Sequence, residues 1–195
     1  AYCDLLRDGE IQMGDKVNFC VPTGNFGDIL AAYYAKRMGL PVGRLICASN
    51  CNDVLTDFLR TGVYDRNRPF HTTMSPSMDI LVSSNLERLL FDLSGENDEE
   101  VRAYMAALSK DGRYEVSDTI KARLAEEYWG GFCDEAGTAA TIAEYYKDKG
   151  YLIDTHTAVA ANVMEQYRKT TGDEAVTVFV STASPYKFCN HVLTA

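Results

Sequence analysis

KVNFCVPTGNFGDIL, residues 16–30, is the stretch on which the reading of the fold turns. Lys16 to Val21 is a short apolar run between Gly14 and Pro22, the pattern of a strand buried on both faces. A tight turn with two glycines follows, and Asp28 opens a helical pattern that runs to Met38. Gly39 stops it, and Pro41 stands just beyond. The scheme then repeats. GRLICAS (Gly43–Ser49) reads as a second buried strand. Asn52 or Asp53 caps VLTDFLRTG, whose Val54, Leu55, Phe58 and Leu59 share a face, and Gly62 terminates it. Strand, helix, strand, helix at these lengths means βαβ units and a parallel sheet.

Outward from there the pattern changes. YDRNRPFHTTMSPSMDILVSSN has no clean period and reads as a long connection, the kind of segment that often carries function. SNLE (Ser84–Glu87) has the form of a capping box opening LERLLFDLSG. VRAYMAALSKDG and SDTIKARLAEEYWGG read as two further helices, with Tyr114 to Val116 as a short link or strand. DEAGTAATIAEYYKDKG and THTAVAANVMEQYRKTTG read as another pair. AVTVFVSTASPYKF closes the chain as a buried strand running into a polar turn. The middle is helix-rich, the two ends are α/β, and the end strands are expected to share one sheet.

The 195 residues suffice for one domain with a substantial core or two small ones. A net charge of -9 argues against nucleic acid as a partner, because phosphate backbones select basic surfaces. It does not exclude a small anion, which backbone N–H groups can bind. No apolar run is long enough to span a bilayer and no secretory leader pattern is visible, so the expectation is no membrane partner and a cytoplasmic location. Cys20 and Cys47 sit in apolar runs, where cysteine acts as a small core residue. Cys47, Cys51, Cys189 and His191 fit no standard zinc spacing, so no metal is assigned. AYCDLLRDGEI reads as the end of a helix and HVLTA as an unfinished end, so a piece of a longer chain is expected.

TGNFGD lies where a strand ends and a helix begins, the favoured ligand crevice of α/β sheets. Glycines let backbone N–H groups approach a ligand, and the helix N-terminus adds partial positive charge, which suits a phosphate. The loop lacks the Gly-Lys-Ser/Thr of a nucleotide P-loop and the Gly-x-Gly-x-x-Gly of dinucleotide sites. Two readings fit: a phosphate cradle, or a tight turn with Asp28 as cap. STASPYK (Ser181–Lys187) also follows a strand. Its hydroxyls suit a neutral pyridine-type nitrogen, or form an ordinary polar turn. Lys187 has no evident apolar pocket to activate it, and His71, His156 and His191 are scattered and read as structural or solvated.

PTGNFGDILAAYYAKRMGLPVGRLICASNCNDVLTDFLRTGVY, SPSMDILVSSNLERLL and STASPYKF, in this order, resemble the threonine synthases. The likeness runs along nearly the whole chain and is weakest over residues 96–150. IDTHTAVA (Ile153–Ala160) departs from a family pattern nearer Ile-Asp-Pro-His-Thr-Ala-Val-Gly. The resemblance implies a fold type II, tryptophan synthase β-like α/β enzyme dependent on pyridoxal phosphate (PLP), a parallel-sheet domain with helices on both faces. The chain would be one compact portion of it, residues 1–195, with a helix-rich insertion around 96–150. It implies that Gly24, Asn25, Phe26, Gly27 and Asp28 hold the cofactor phosphate and that Thr182, rather than Ser181, faces the pyridine nitrogen. Ser83, Ser84, Asn85 and Arg88 match a block near the substrate, where Ser84 also reads as a helix cap and Arg88 as a solvated residue. The family's Ser-Phe-Lys-Asp type lysine, which binds the cofactor covalently, has no counterpart here. The expectation is the C-terminal part of an enzyme that converts O-phospho-L-homoserine and water to L-threonine and phosphate. Alone, the chain is expected to lack a catalytic residue, to be inactive, not to bind PLP covalently, and to self-associate through surfaces that truncation exposes. A related PLP-dependent phospho-lyase and a non-catalytic phosphate- or PLP-binding module are the alternatives.

Overall fold

The computed structural model describes residues 1–195. Helix α1 (Tyr2–Arg7) precedes β1 (Val17–Pro22), α2 (Gly27–Arg37), β2 (Val42–Ser49), α3 (Val54–Thr61) and a short β3 (Val63–Asp65). The chain continues through α4 (Leu86–Leu93), α5 (Asp98–Asp111), β4 (Arg113–Glu115), α6 (Asp118–Glu127) and β5 (Tyr128–Phe132). It ends with α7 (Glu135–Lys149), α8 (Thr155–Thr171), β6 (Thr177–Phe179) and α9 (Cys189–Thr194).

The sheet has the order β5-β2-β1-β6 and every pairing is parallel. The end strands share it, as the sequence leads one to expect. Burial on both faces explains the unbroken apolar runs: Leu45, Ile46, Cys47 and Ala48 of β2 are all fully buried. Alternation still sorts them. Val21, Leu45 and Cys47 face a core shared with residues of α2, α3, α4 and α6. Cys20, Ile46 and Ala48 face Val159, Val163 and Met164 of α8. Burial pushes the Cys47 thiol up to about 12, and the Cys20 thiol upward too, first by burial and then through Cys47. Both remain protonated packing residues. A separate antiparallel pair, β3 with β4, stacks Tyr64 on Tyr114 at 5.3 Å.

Four local expectations need correction. Tyr128-Trp129-Gly130-Gly131 continues no helix but forms β5. The glycines are the reason: a Cβ on Gly130 would lie 3.2 Å from Thr56 Cα, so α3 packs directly on this strand. Ser84 caps nothing. Asn85 is the N-cap of α4 and makes no side-chain cap bond; its Nδ2 donates to Asn25 C=O instead. Asp53 is the N-cap of α3, but its carboxylate accepts from Arg68 (2.7 Å) instead of capping. The closing strand is only Thr177–Phe179 and half-buried, because it lies at the sheet edge with β1 as its single neighbour.

Two-sided burial has a direct test. Leu45→Ala and Ile46→Ala point into opposite cores, and each should cost about 2–5 kcal/mol in denaturant unfolding. A near-neutral result for either would mean that one sheet face is not a core.

Candidate functional site

The crevice forms where β1 leaves the sheet. Thr23 N–H still donates to Ala48 C=O (2.8 Å), and its hydroxyl donates back to Val21 C=O (2.7 Å). Then the chain turns sharply. Phe26 adopts φ 61°, ψ 15°, a left-handed conformation that costs an L-residue about 1–2 kcal/mol. Its ring holds it there, buried and 5.6 Å from the Tyr128 ring. Leu30 N–H donates to Phe26 C=O and starts α2, which has no side-chain cap. As a result, the N–H groups of Gly24, Asn25, Phe26, Gly27, Asp28 and Ile29 find no acceptor within the chain.

These residues line a cavity of ≈ 290 Å³, together with Ser77, Met78, His156, Thr182, Ala183 and Lys187. Gly24 is required by its neighbours, since a Cβ there would lie 2.7 Å from Ser77 C=O. Gly27 is not: a Cβ would meet only Asn85 Nδ2, at 3.8 Å.

The residues singled out from sequence divide into three groups. Gly24 to Asp28 and Thr182 converge on the cavity. Ser83 and Asn85 stand behind it: Ser83 Oγ donates to Gly24 C=O (3.0 Å), and Asn85 Nδ2 donates to Asn25 C=O (2.8 Å). Arg88 goes elsewhere. It is exposed on a separate groove with Tyr34, Phe91 and Met105. Ser181 is turned from the cavity toward α8, its hydroxyl 3.0 Å from Thr157 Oγ1.

Lys187, read from sequence as lacking an apolar pocket to activate it, also lines the cavity. It is exposed, forms no salt bridge and lies 5.4 Å above the Phe188 ring. Two further wall residues were missed. Ser77 and Met78 belong to the 71–79 segment, which a saturated polar cluster pins. Asn50 Nδ2 donates to Thr73 Oγ1 (2.9 Å) and Asp79 Oδ1 (2.8 Å), and Thr73 N–H donates to Asp79 Oδ2 (2.9 Å). His156 is buried, not solvated, at the start of α8. The signal for it was present in Asp154-Thr155-His156, a good N-cap two residues before a histidine. Asp154 Oδ1 accepts the backbone N–H groups of His156 (2.8 Å) and Thr157 (3.3 Å) and lies 3.1 Å from His156 Nδ1. Thr155 Oγ1 lies 3.3 Å from the same ring nitrogen. No group of three His, Cys, Asp or Glu side chains is placed to hold a metal ion.

No family model matches the chain. Individual proteins do. It is 40% identical over its whole length to human threonine synthase-like 1, of which it spans 26%. It is 43% identical over 88% of its length to the threonine synthase of Pseudomonas aeruginosa, of which it spans 36%. The crystal structure of PLP-bound threonine synthase from Brucella melitensis superposes on 99% of the chain at a TM-score of 0.90 and 40% identity. This chain is homologous to the threonine synthases. Its fold is accordingly fold type II, and it spans roughly a quarter to two fifths of the length of these threonine synthase relatives. The homology includes residues 96–150, where the sequence blocks were weakest, because the superposition takes in nearly every residue. No helix is long and apolar enough to cross a membrane.

The Asp154 cap carries a pH dependence. Burial opposes ionisation of its carboxyl. Hydrogen bonds from the side chains and backbone N–H groups of His156 and Thr157 outweigh that and hold it below the usual carboxylate range. A lowered folded value means the stabilisation is present above the unfolded value of about 3.9 and disappears as pH falls through the folded one. Denaturant titrations should show the wild type losing stability below pH ~4 more steeply than Asp154→Asn, which keeps a cap without the titration. Parallel acid limbs would contradict this.

Proposed function

We propose that the chain is the cofactor-phosphate-binding portion of a threonine synthase, a PLP-dependent carbon–oxygen lyase that converts O-phospho-L-homoserine and water to L-threonine and phosphate. The observation that carries this reading is the run of acceptor-free N–H groups from Gly24 to Ile29, in a loop that lines the same cavity as Thr182. The threonine synthase homology agrees with it.

The residues fit the group. The amides of Gly24 to Asp28 would hold the phosphate, with the α2 N-terminus adding favourable potential. Asp28 sits on the exposed side, where solvent screens its charge. The Thr182 hydroxyl would face the pyridine nitrogen. A neutral hydroxyl donates to that nitrogen without favouring its protonation, as a carboxylate would. When bound, PLP supplies an electron sink for carbanion chemistry. Ser83 and Asn85 support the loop carbonyls and so act behind the cofactor phosphate rather than on substrate. Arg88, on its separate groove, takes no part in this reading.

In this reading the lysine that binds the cofactor and moves protons lies outside residues 1–195, so the chain alone is inactive and acts as part of a longer cytoplasmic enzyme. Residues 1–195 form one portion of that enzyme, with 96–150 as a helix-rich insertion that also lends β5 to the sheet. Exposed apolar residues such as Tyr186 and Leu193 favour self-association of the chain when it stands alone.

Three measurements test the proposal. PLP added to the chain should bind reversibly, and borohydride should fix none of it. A reduced adduct mapped to Lys187 would contradict the missing-lysine reading. Gly24→Ala, which sets a Cβ against Ser77 C=O, should weaken that binding by ~10-fold or more; unchanged affinity would remove the loop from the site. Assayed within the longer protein, O-phosphohomoserine should yield threonine. Release of a keto acid instead would favour a phospho-lyase.

A further inference from the structure

Two further segments line the crevice beside the Gly24–Asp28 loop and form its other walls. One is the 75–79 segment, which presses on Gly24 through Ser77 C=O. The other is the 182–188 segment, which carries Thr182 and Lys187. Neither wall belongs to a long element: Pro76–Met78 and Pro185–Phe188 are single 3₁₀ turns. Short turns hold a shape only through what they are tied to.

One buried side chain touches both. His156 Nε2 accepts the Ser77 N–H at 3.3 Å, and the imidazole lies 4.8 Å from the Phe188 ring, centroid to centroid. Because Nε2 accepts, the ring proton sits on Nδ1, which faces Asp154 Oδ1 at 3.1 Å. The same carboxylate reaches the second wall by another route. Its Oδ2 accepts from Thr157 Oγ1, which lies 3.0 Å from Ser181 Oγ, next to Thr182. The first residues of α8 therefore hold both walls from a helix anchored in the core by Ala158, Val159 and Ala160.

We propose that His156 is the positioning residue of this crevice. By accepting the Ser77 amide and packing against Phe188 it sets the width between the two walls, and Asp154 keeps the imidazole in the tautomer that makes the bond. The inference rests on the phosphate-binding reading of the same crevice and adds the residue that shapes it. His156 gives no contact to the phosphate group itself. Its effect passes through Ser77 and through the Thr182–Lys187 turn.

The conservative pair of variants separates positioning from mere stability. In His156→Gln the side-chain carbonyl reaches about as far as Nε2 and can still accept the Ser77 N–H. In His156→Asn the carbonyl ends near the position of Nδ1 and cannot. Amide hydrogen exchange on the ligand-free chain should show Ser77 exchanging at least ~10-fold faster in His156→Asn and close to wild type in His156→Gln. Pyridoxal phosphate binding, followed by fluorescence titration, should weaken ~10-fold in His156→Asn and stay within ~3-fold in His156→Gln, one hydrogen bond being the difference. Equal weakening in both variants, or unchanged Ser77 exchange in His156→Asn, would overturn the proposal. So would wild-type-like binding by His156→Asn, which would leave the phosphate reading standing. A wild-type chain that binds no pyridoxal phosphate would remove both.

Discussion

Everything at the crevice depends on one buried ring. Phe26 sits in a left-handed turn that its backbone disfavours by about 1–2 kcal/mol, and burying a phenylalanine side chain returns about 1.5–3 kcal/mol. Burial of the ring is of the size needed to offset that cost. Its contact with Tyr128 ties the turn to β5 and so to the sheet. The N–H groups from Gly24 to Ile29 are then set by core packing rather than by the ligand. A site arranged this way binds with less ordering cost.

The parallel sheet does the rest. In β1 and β6 the register pairs Cys20 with Phe179, and Val180 N–H donates to Cys20 C=O. Three residues beyond this pair stand Thr23 and Thr182, and both line the same cavity. A loop at the head of the chain and a turn near its end thus meet without a direct connection. The 75–79 segment closes the space from a third direction, held by the Asn50–Asp79 cluster on one side and His156 on the other.

Much of this was legible in the residues. The β1-α2-β2 unit and the helix α3 that follows come from continuous apolar runs, glycine stops and helix periods, and the observed elements match within a residue or two. The strand–turn–helix arrangement of the Gly24–Asp28 loop was legible because it is local: glycines, a strand end and a helix start lie within a dozen residues. What failed was non-local. Trp129-Gly130-Gly131 looked like the tail of a helix because only the approach of α3 explains why glycines belong in that strand. Ser84 had the spacing of a capping box, but the Asn85 amide is drawn to Asn25 across 60 positions of sequence. His156 was passed over because its partner, the Ser77 N–H, is 79 positions away and is a backbone group that sequence cannot display. Residue types announce local turns, whereas the second wall of a cavity is set by topology.

The central claim is that the Gly24–Asp28 amides bind a phosphate group. Amide NMR of the isotopically labelled chain tests it most directly, comparing pyridoxal phosphate with pyridoxal. The account predicts large shifts at Gly24, Asn25, Phe26, Gly27 and Asp28 with the phosphorylated compound only, as each N–H gains an acceptor. No shifts in these residues, or the same shifts with pyridoxal, would contradict it.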